Sequence, residues 1–111
     1  AAIAALSASG LPTDQFHFVG FLPPKEGKKR ALLGSLREVS GTLVIYESPF
    51  RVHKTVLLLQ EILGDRPACA VHEMTKIHEG FFRGTLRQIE QQLKTVPAKG
   101  EWVILVSDKI P

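Results

Sequence analysis

Apolar positions along this 111-residue chain fall into short runs of period two and longer stripes of period three to four. Residues 1–9 (AAIAALSAS) read as helix, closed by Gly10 and then Pro12, the usual punctuation of a helix end. FHFVGFL (16–22) is rich in β-formers and stops at Pro23-Pro24. Over 25–39, Leu32, Leu36 and Val39 make a helical stripe behind the basic run Lys28-Lys29-Arg30. Gly41 separates it from a strand over 42–47 (TLVIYE). The next helix carries Val52, Val56, Leu59 and Leu63 on one face and stops at Gly64.

Beyond GDRP the pattern predicts a strand over 68–75 (ACAVHEMT) and a second around 78–83 (HEGFFR). Thr85 with Gln88 three residues later reads as a capping box, opening a helix whose apolar face is Leu86, Ile89 and Leu93. Pro97 and Gly100 break that helix, and EWVILVS (101–107) is the last strand. Helices and strands alternate except at 68–83, where two successive strands are most simply a hairpin. The predicted fold class is therefore α/β, a mixed sheet of about five strands packed with helices.

Composition narrows the class without naming an activity. The length suits one domain, and 44% hydrophobic residues allow a modest core. No run of 18 apolar residues is present, so no membrane-spanning helix is expected. The start, AAIAALSASG, has no basic lead-in and no initiator methionine and reads as the middle of a helix, so the chain is expected to be a piece of something longer. The single cysteine, Cys69, stands in apolar ACAV as a small core residue, a usage that fits a reducing, cytoplasmic compartment. A net charge of +3 is compatible with an anionic partner but does not single one out.

Three stretches carry candidate chemistry. In TLVIYESPFRV (42–52), Ser48 suits an N-cap and Pro49 a first helical position, which sets Glu47 where a strand end meets a helix start. Open α/β sheets bind ligands at such junctions; equally, Ser-Pro can be only a helix start and Glu47 a solvated residue beside it. HEMTKIHE (72–79) superficially suggests a metal. His72 and His78 are six apart on a strand-like segment rather than four apart on a helix, so no metal site is expected. Glu73, Lys76 and Glu79 still crowd charge into one turn, either a site or a solvated hairpin tip. In PPKEGKKR (23–30), Lys25, Lys28, Lys29 and Arg30 could contact phosphates of a nucleic acid or simply form a wet helix face. Cations are disfavoured at a helix N-terminus, which hints at a reason for them other than stability.

The order of ALSASGLPTDQFHFVGFLP, TLVIYESPFR, HEMTKIHEGFFRGTL and GEWVILV resembles the C-terminal half of the ribosomal RNA small-subunit methyltransferase I family, within the tetrapyrrole (corrin/porphyrin) methylase superfamily. It departs from that pattern at Phe50, where histidine is expected. The resemblance implies a two-domain enzyme using S-adenosylmethionine in the cleft between domains to methylate a cytidine ribose 2′-hydroxyl of small-subunit rRNA. Residues 1–111 would be its C-terminal domain, with the N-terminal domain as partner and a homodimer as the suggested assembly. By the same resemblance, Phe21, Leu22, Pro23, Glu47, Met74 and Thr75 would lie near the cofactor. Arg51, Lys76 and Glu79 match charged family positions expected at substrate or in catalysis, and Glu47, Glu73, Lys76 and Glu79 are candidates for the base that takes the hydroxyl proton. The alternatives are a tetrapyrrole methylase domain and a non-catalytic RNA-binding or dimerisation module.

Overall fold

Leu43, Val44 and Ile45 form a continuous apolar run with no polar alternation, the pattern of a strand covered on both faces. They lie in β2 (Thr42–Glu47), and all three are fully buried. The structure, a computed structural model, describes residues 11, 15–73, 79–96 and 100–108. Around β2 are β1 (Phe16–Phe21), α1 (Glu26–Ser35), α2 (Val52–Leu63), β3 (Pro67–Glu73), β4 (Glu79–Thr85), α3 (Leu86–Leu93) and β5 (Glu101–Val106). The strands form one mixed sheet in the order β1-β2-β5-β3-β4. β1 and β2 are parallel and joined through α1; every other pairing is antiparallel.

All three described helices pack on one face. Leu33 of α1, Val56, Leu59 and Leu63 of α2, and Leu86 and Ile89 of α3 close over Leu43, Ile45, Ala70 and Ile104. On the opposite face Val44, Cys69, Val71, Val103 and Leu105 form a second buried cluster, joined by Leu11, Tyr46 and Phe81. Burial pushes the Cys69 thiol pKa up, with Arg83 pulling weakly the other way. The hairpin, the stop at Gly64 and the Thr85–Gln88 capping box form as the sequence predicts.

Two predictions need correcting. The helix expected over 25–39 ends at Ser35, because Leu36, in αR geometry at the C-cap, and residues 37–38 turn the chain; Leu33, not Leu32, is its fully buried residue. The helix expected from Pro49 begins at Val52, and no side-chain cap bond is made at its N-cap, Arg51. There the Ser48 carbonyl accepts from both the Arg51 and Val52 amides, so 49–51 wind in as a turn. Glu47, left open between a ligand junction and a solvated residue, is buried, at 5% exposure. The helix expected over 1–9 and the 74–78 segment, with Met74, Thr75 and Lys76, lie outside the described residues.

A bulge sets up the edge strand. The β1–β2 register slips between Phe18 and Gly20, with Gly20 at φ +75°, a conformation glycine tolerates far better than other residues. The extra residue reverses side-chain parity, so Phe21 falls on the same face as Phe18 instead of the opposite one. Both rings meet Tyr46 edge-on, at 5.3 and 5.5 Å between centroids.

Candidate functional site

The strand pairings bring five chain segments to one end of the sheet. Phe21 pairs with Tyr46, Glu47 with Trp102, Glu73 with Glu101, and Glu73 with Glu79. Thus the carboxyl ends of β1, β2 and β3 and the amino ends of β4 and β5 share this edge. Phe21, Glu47, Glu73 and Glu79, far apart in sequence, are brought to it together. Glu73 and Glu79 also flank the 74–78 segment.

A cavity of about 450 Å³ opens here, lined by Phe21, Tyr46, Glu47, Ser48, Glu101 and Trp102 among others. Three aromatic residues, Phe21, Tyr46 and Trp102, and two acids, Glu47 and Glu101, are among its walls. Trp102 is held rigidly: His72, its cross-strand neighbour, stacks on it at 4.2 Å and 3°. The Trp102 indole N–H is buried and has no acceptor among the described residues, an uncommon state for a buried donor. Of the expected cofactor-contact residues, Phe21 and Glu47 line this cavity, whereas Leu22 packs toward the helix-side core. Pro23 is half-buried just beyond β1.

Glu47 itself is heavily bonded. Its Oε1 accepts the Ser48 amide at 2.8 Å and faces Arg51 Nε at 3.4 Å, while Oε2 accepts the Thr55 hydroxyl at 2.6 Å. A buried carboxylate is tolerable when donors replace lost water, and here three do so. The acid thereby ties the end of β2 to the first turns of α2.

Arg51 leads outward from this brace to a second feature. It remains 57% exposed and lines a groove of about 490 Å³ between α1 and α2, together with Lys29, Arg30 and Lys54. Glu26 and Glu61 offset part of that charge: Arg30 bonds Glu61 at 2.9 Å and lies 3.7 Å from Glu26. Neither Lys29 nor Lys54 forms an ion pair among the described residues. Lys25 and Lys28 are exposed on the same helix start but do not line the groove. The positive run of α1 and the arginine that starts α2, separate in sequence, therefore meet across one groove, and Lys54 joins them.

The cavity and groove together invite comparison with known proteins. Residues 1–90 match the family model described as "Tetrapyrrole (Corrin/Porphyrin) Methylases". The chain belongs to the tetrapyrrole methylase family. Similar relatives are named "Ribosomal RNA small subunit methyltransferase I". The one from Micromonospora olivasterospora is 40% identical over 96% of this chain and 34% of its own length. That from Halalkalibacterium halodurans is 41% identical over 96% of this chain and 37% of its own. This methylase-family chain thus spans little more than a third of those relatives. Among solved structures, a cobalt precorrin-4 methyltransferase of cobalamin biosynthesis superposes with a TM-score of 0.64 at 21% identity, over 96% of this chain and 46% of that one. The methyltransferase CobJ gives 0.69 at 18%, over 96% and 47%. At those identities the likeness establishes the methylase fold.

Sequence reasoning missed Tyr46, Glu101 and Trp102 in the cavity and Lys54 and Thr55 around Arg51. Thr55 and Lys54 could have been found by helical spacing from Arg51, since i+3 and i+4 neighbours share a face. Trp102 and Glu101 could not, because only the pairing of β5 with β2 and β3 brings them there. No helix among the described residues is long and apolar enough to cross a membrane.

Proposed function

We propose that this chain is the C-terminal domain of an S-adenosylmethionine-dependent methyltransferase that modifies small-subunit rRNA, acting on a cytidine ribose 2′-hydroxyl in the cytoplasm. The single observation that carries the reading is the Glu47–Arg51 contact. Glu47 lines the aromatic cavity, Arg51 lines the basic groove, and the two side chains meet at 3.4 Å. A donor pocket and an anion-binding track thus adjoin at one ion pair, as transfer between a small cofactor and a polyanion requires. The names of the relatives support rRNA as the polyanion.

The cavity residues fit S-adenosylmethionine. Phe21 and Tyr46 offer aromatic surface to an adenine or a sulfonium, while Trp102, 2% exposed and stacked on His72, backs the wall and leaves its indole N–H without an acceptor among the described residues. The cofactor supplies an electrophilic methyl group. When the ribose oxygen forms its bond to that carbon, the sulfur–carbon bond breaks and the hydroxyl proton must leave to a base. Glu47 is poorly suited to that task, because both of its oxygens already accept hydrogen bonds. Its role is to position Arg51 and the end of β2. Glu73, Lys76 and Glu79 remain the base candidates, Glu73 and Glu79 by their place at the same sheet edge. The other cavity wall would come from the N-terminal domain.

The test uses the parent protein and methyl-labelled S-adenosylmethionine with small-subunit rRNA or a precorrin-type macrocycle. Label is expected in an alkali-resistant dinucleotide of the RNA, since 2′-O-methylation blocks cleavage at that linkage. Label only in the macrocycle, or RNA binding with no transfer, would overturn the proposal.

A further inference from the structure

Phe50 is 85% exposed, the most exposed large hydrophobic among the described residues. It does not lie on a loose segment. Ser48 and Pro49 precede it in a turn closed by the Arg51 amide donating to the Ser48 carbonyl at 3.1 Å, and Val52 behind it is buried. The ring is thus held out into water on a rigid support. Cations flank it on both sides. Arg51 and Lys54 lead into the α1–α2 groove with Lys29. On the other side Phe50 borders a hollow of about 400 Å³ lined also by Pro49, His53, Leu93, Lys94 and Trp102. His53 Nε2 lies 3.0 Å from the buried Glu90 carboxylate, which Lys94 approaches at 3.7 Å.

An exposed aromatic among cations suits an unpaired nucleotide: the base stacks on the ring and flanking phosphates meet the positive side chains. An apolar protein partner would have to strip water from those cations without neutralising them, whereas an RNA strand neutralises them. Resting on the rRNA reading above and extending it, we propose that Phe50 is a stacking platform for an unpaired base of single-stranded RNA. Lys29, Arg51 and Lys54 hold the phosphates on one side of that base, and the hollow beside Lys94 accepts its neighbour.

The parent protein would be titrated with a fluorescein-labelled single-stranded RNA at several salt concentrations, as wild type and as F50A, F50W and K54A. F50A is expected to weaken binding roughly five- to a hundred-fold with little change in salt slope, and F50W to restore it. K54A should lower the slope of log K against log salt by about 0.7. S-adenosylmethionine affinity should be the same in all four proteins, because neither residue lines the cavity. Binding by F50A within two-fold of wild type would overturn the proposal, whatever K54A does. The rRNA reading is judged separately, by methyl transfer: normal F50A dependence without transfer sinks that reading alone, and normal transfer with an unaffected F50A sinks this one alone.

Discussion

Glu47 decides whether the strand end works as a brace or as a base, and Glu47→Gln combined with Thr55→Val separates the two. The Thr55 hydroxyl donates at 2.6 Å to a carboxylate only 5% exposed, and Thr55 is itself 2% exposed. Removing a donor to a charged group costs about 1.5–3 kcal/mol, and valine fills nearly the same volume. Urea unfolding of the 111-residue chain with Thr55→Val should therefore show a midpoint lowered by about 1 M, for m of about 1–3 kcal/mol/M. Arg51 contributes less to holding the acid, being 57% exposed at 3.4 Å. In Glu47→Gln the side-chain oxygen can still accept the Ser48 amide, and the new amide can donate to a reoriented Thr55 hydroxyl. Stability should then fall by no more than about 1.5 kcal/mol. In the parent protein, kcat should drop less than about ten-fold, whereas losing a general base removes about 10²–10⁴-fold. A hundred-fold loss of kcat with stability and cofactor affinity intact would show that Glu47 is the base. A Thr55→Val effect under about 0.5 kcal/mol would show that the hydrogen bond does not hold the acid.

Two further predictions concern the scaffold. Gly41 has φ +97°, and a Cβ there would lie 2.9 Å from the Gln15 carbonyl, so Gly41→Ala should destabilise by more than about 1 kcal/mol in denaturant melts; an unchanged midpoint would refute the strain. Cys69 is fully buried with its thiol pKa raised by desolvation, so alkylation at pH 8 should be slow in buffer and fast in denaturant. Equal rates under both conditions would contradict that burial.

Much of the fold was legible because local rules agreed with it. The run TLVIYE bounds β2, the stripe from Val52 to Leu63 with Gly64 bounds α2, and Thr85 with Gln88 starts α3. What stayed hidden depends on contacts between distant segments. The order β1-β2-β5-β3-β4 places Trp102 beside Glu47, and no local pattern encodes that pairing. The apolar stripe through Leu36 and Val39 mimicked a longer α1, since packing residues in a turn look like a continuing helix. Ser48-Pro49 looked like a helix start, but helical winding is regular only from Val52. Phe21 faces Tyr46 because of a bulge at Val19 and Gly20, which the sequence shows only as a Gly within a strand.

The cavity at the carboxyl ends of β1 and β2 is where the proposed cofactor site meets its most direct test. Phe21 is 69% exposed and lines that cavity, so Phe21→Ala removes an aromatic wall with little threat to the fold. Calorimetric titration of S-adenosylmethionine into the parent protein should show this variant binding about ten-fold or more weakly, a loss of about 1.4 kcal/mol, with its melting temperature unchanged. Undiminished affinity would contradict a cofactor site at this end of the sheet.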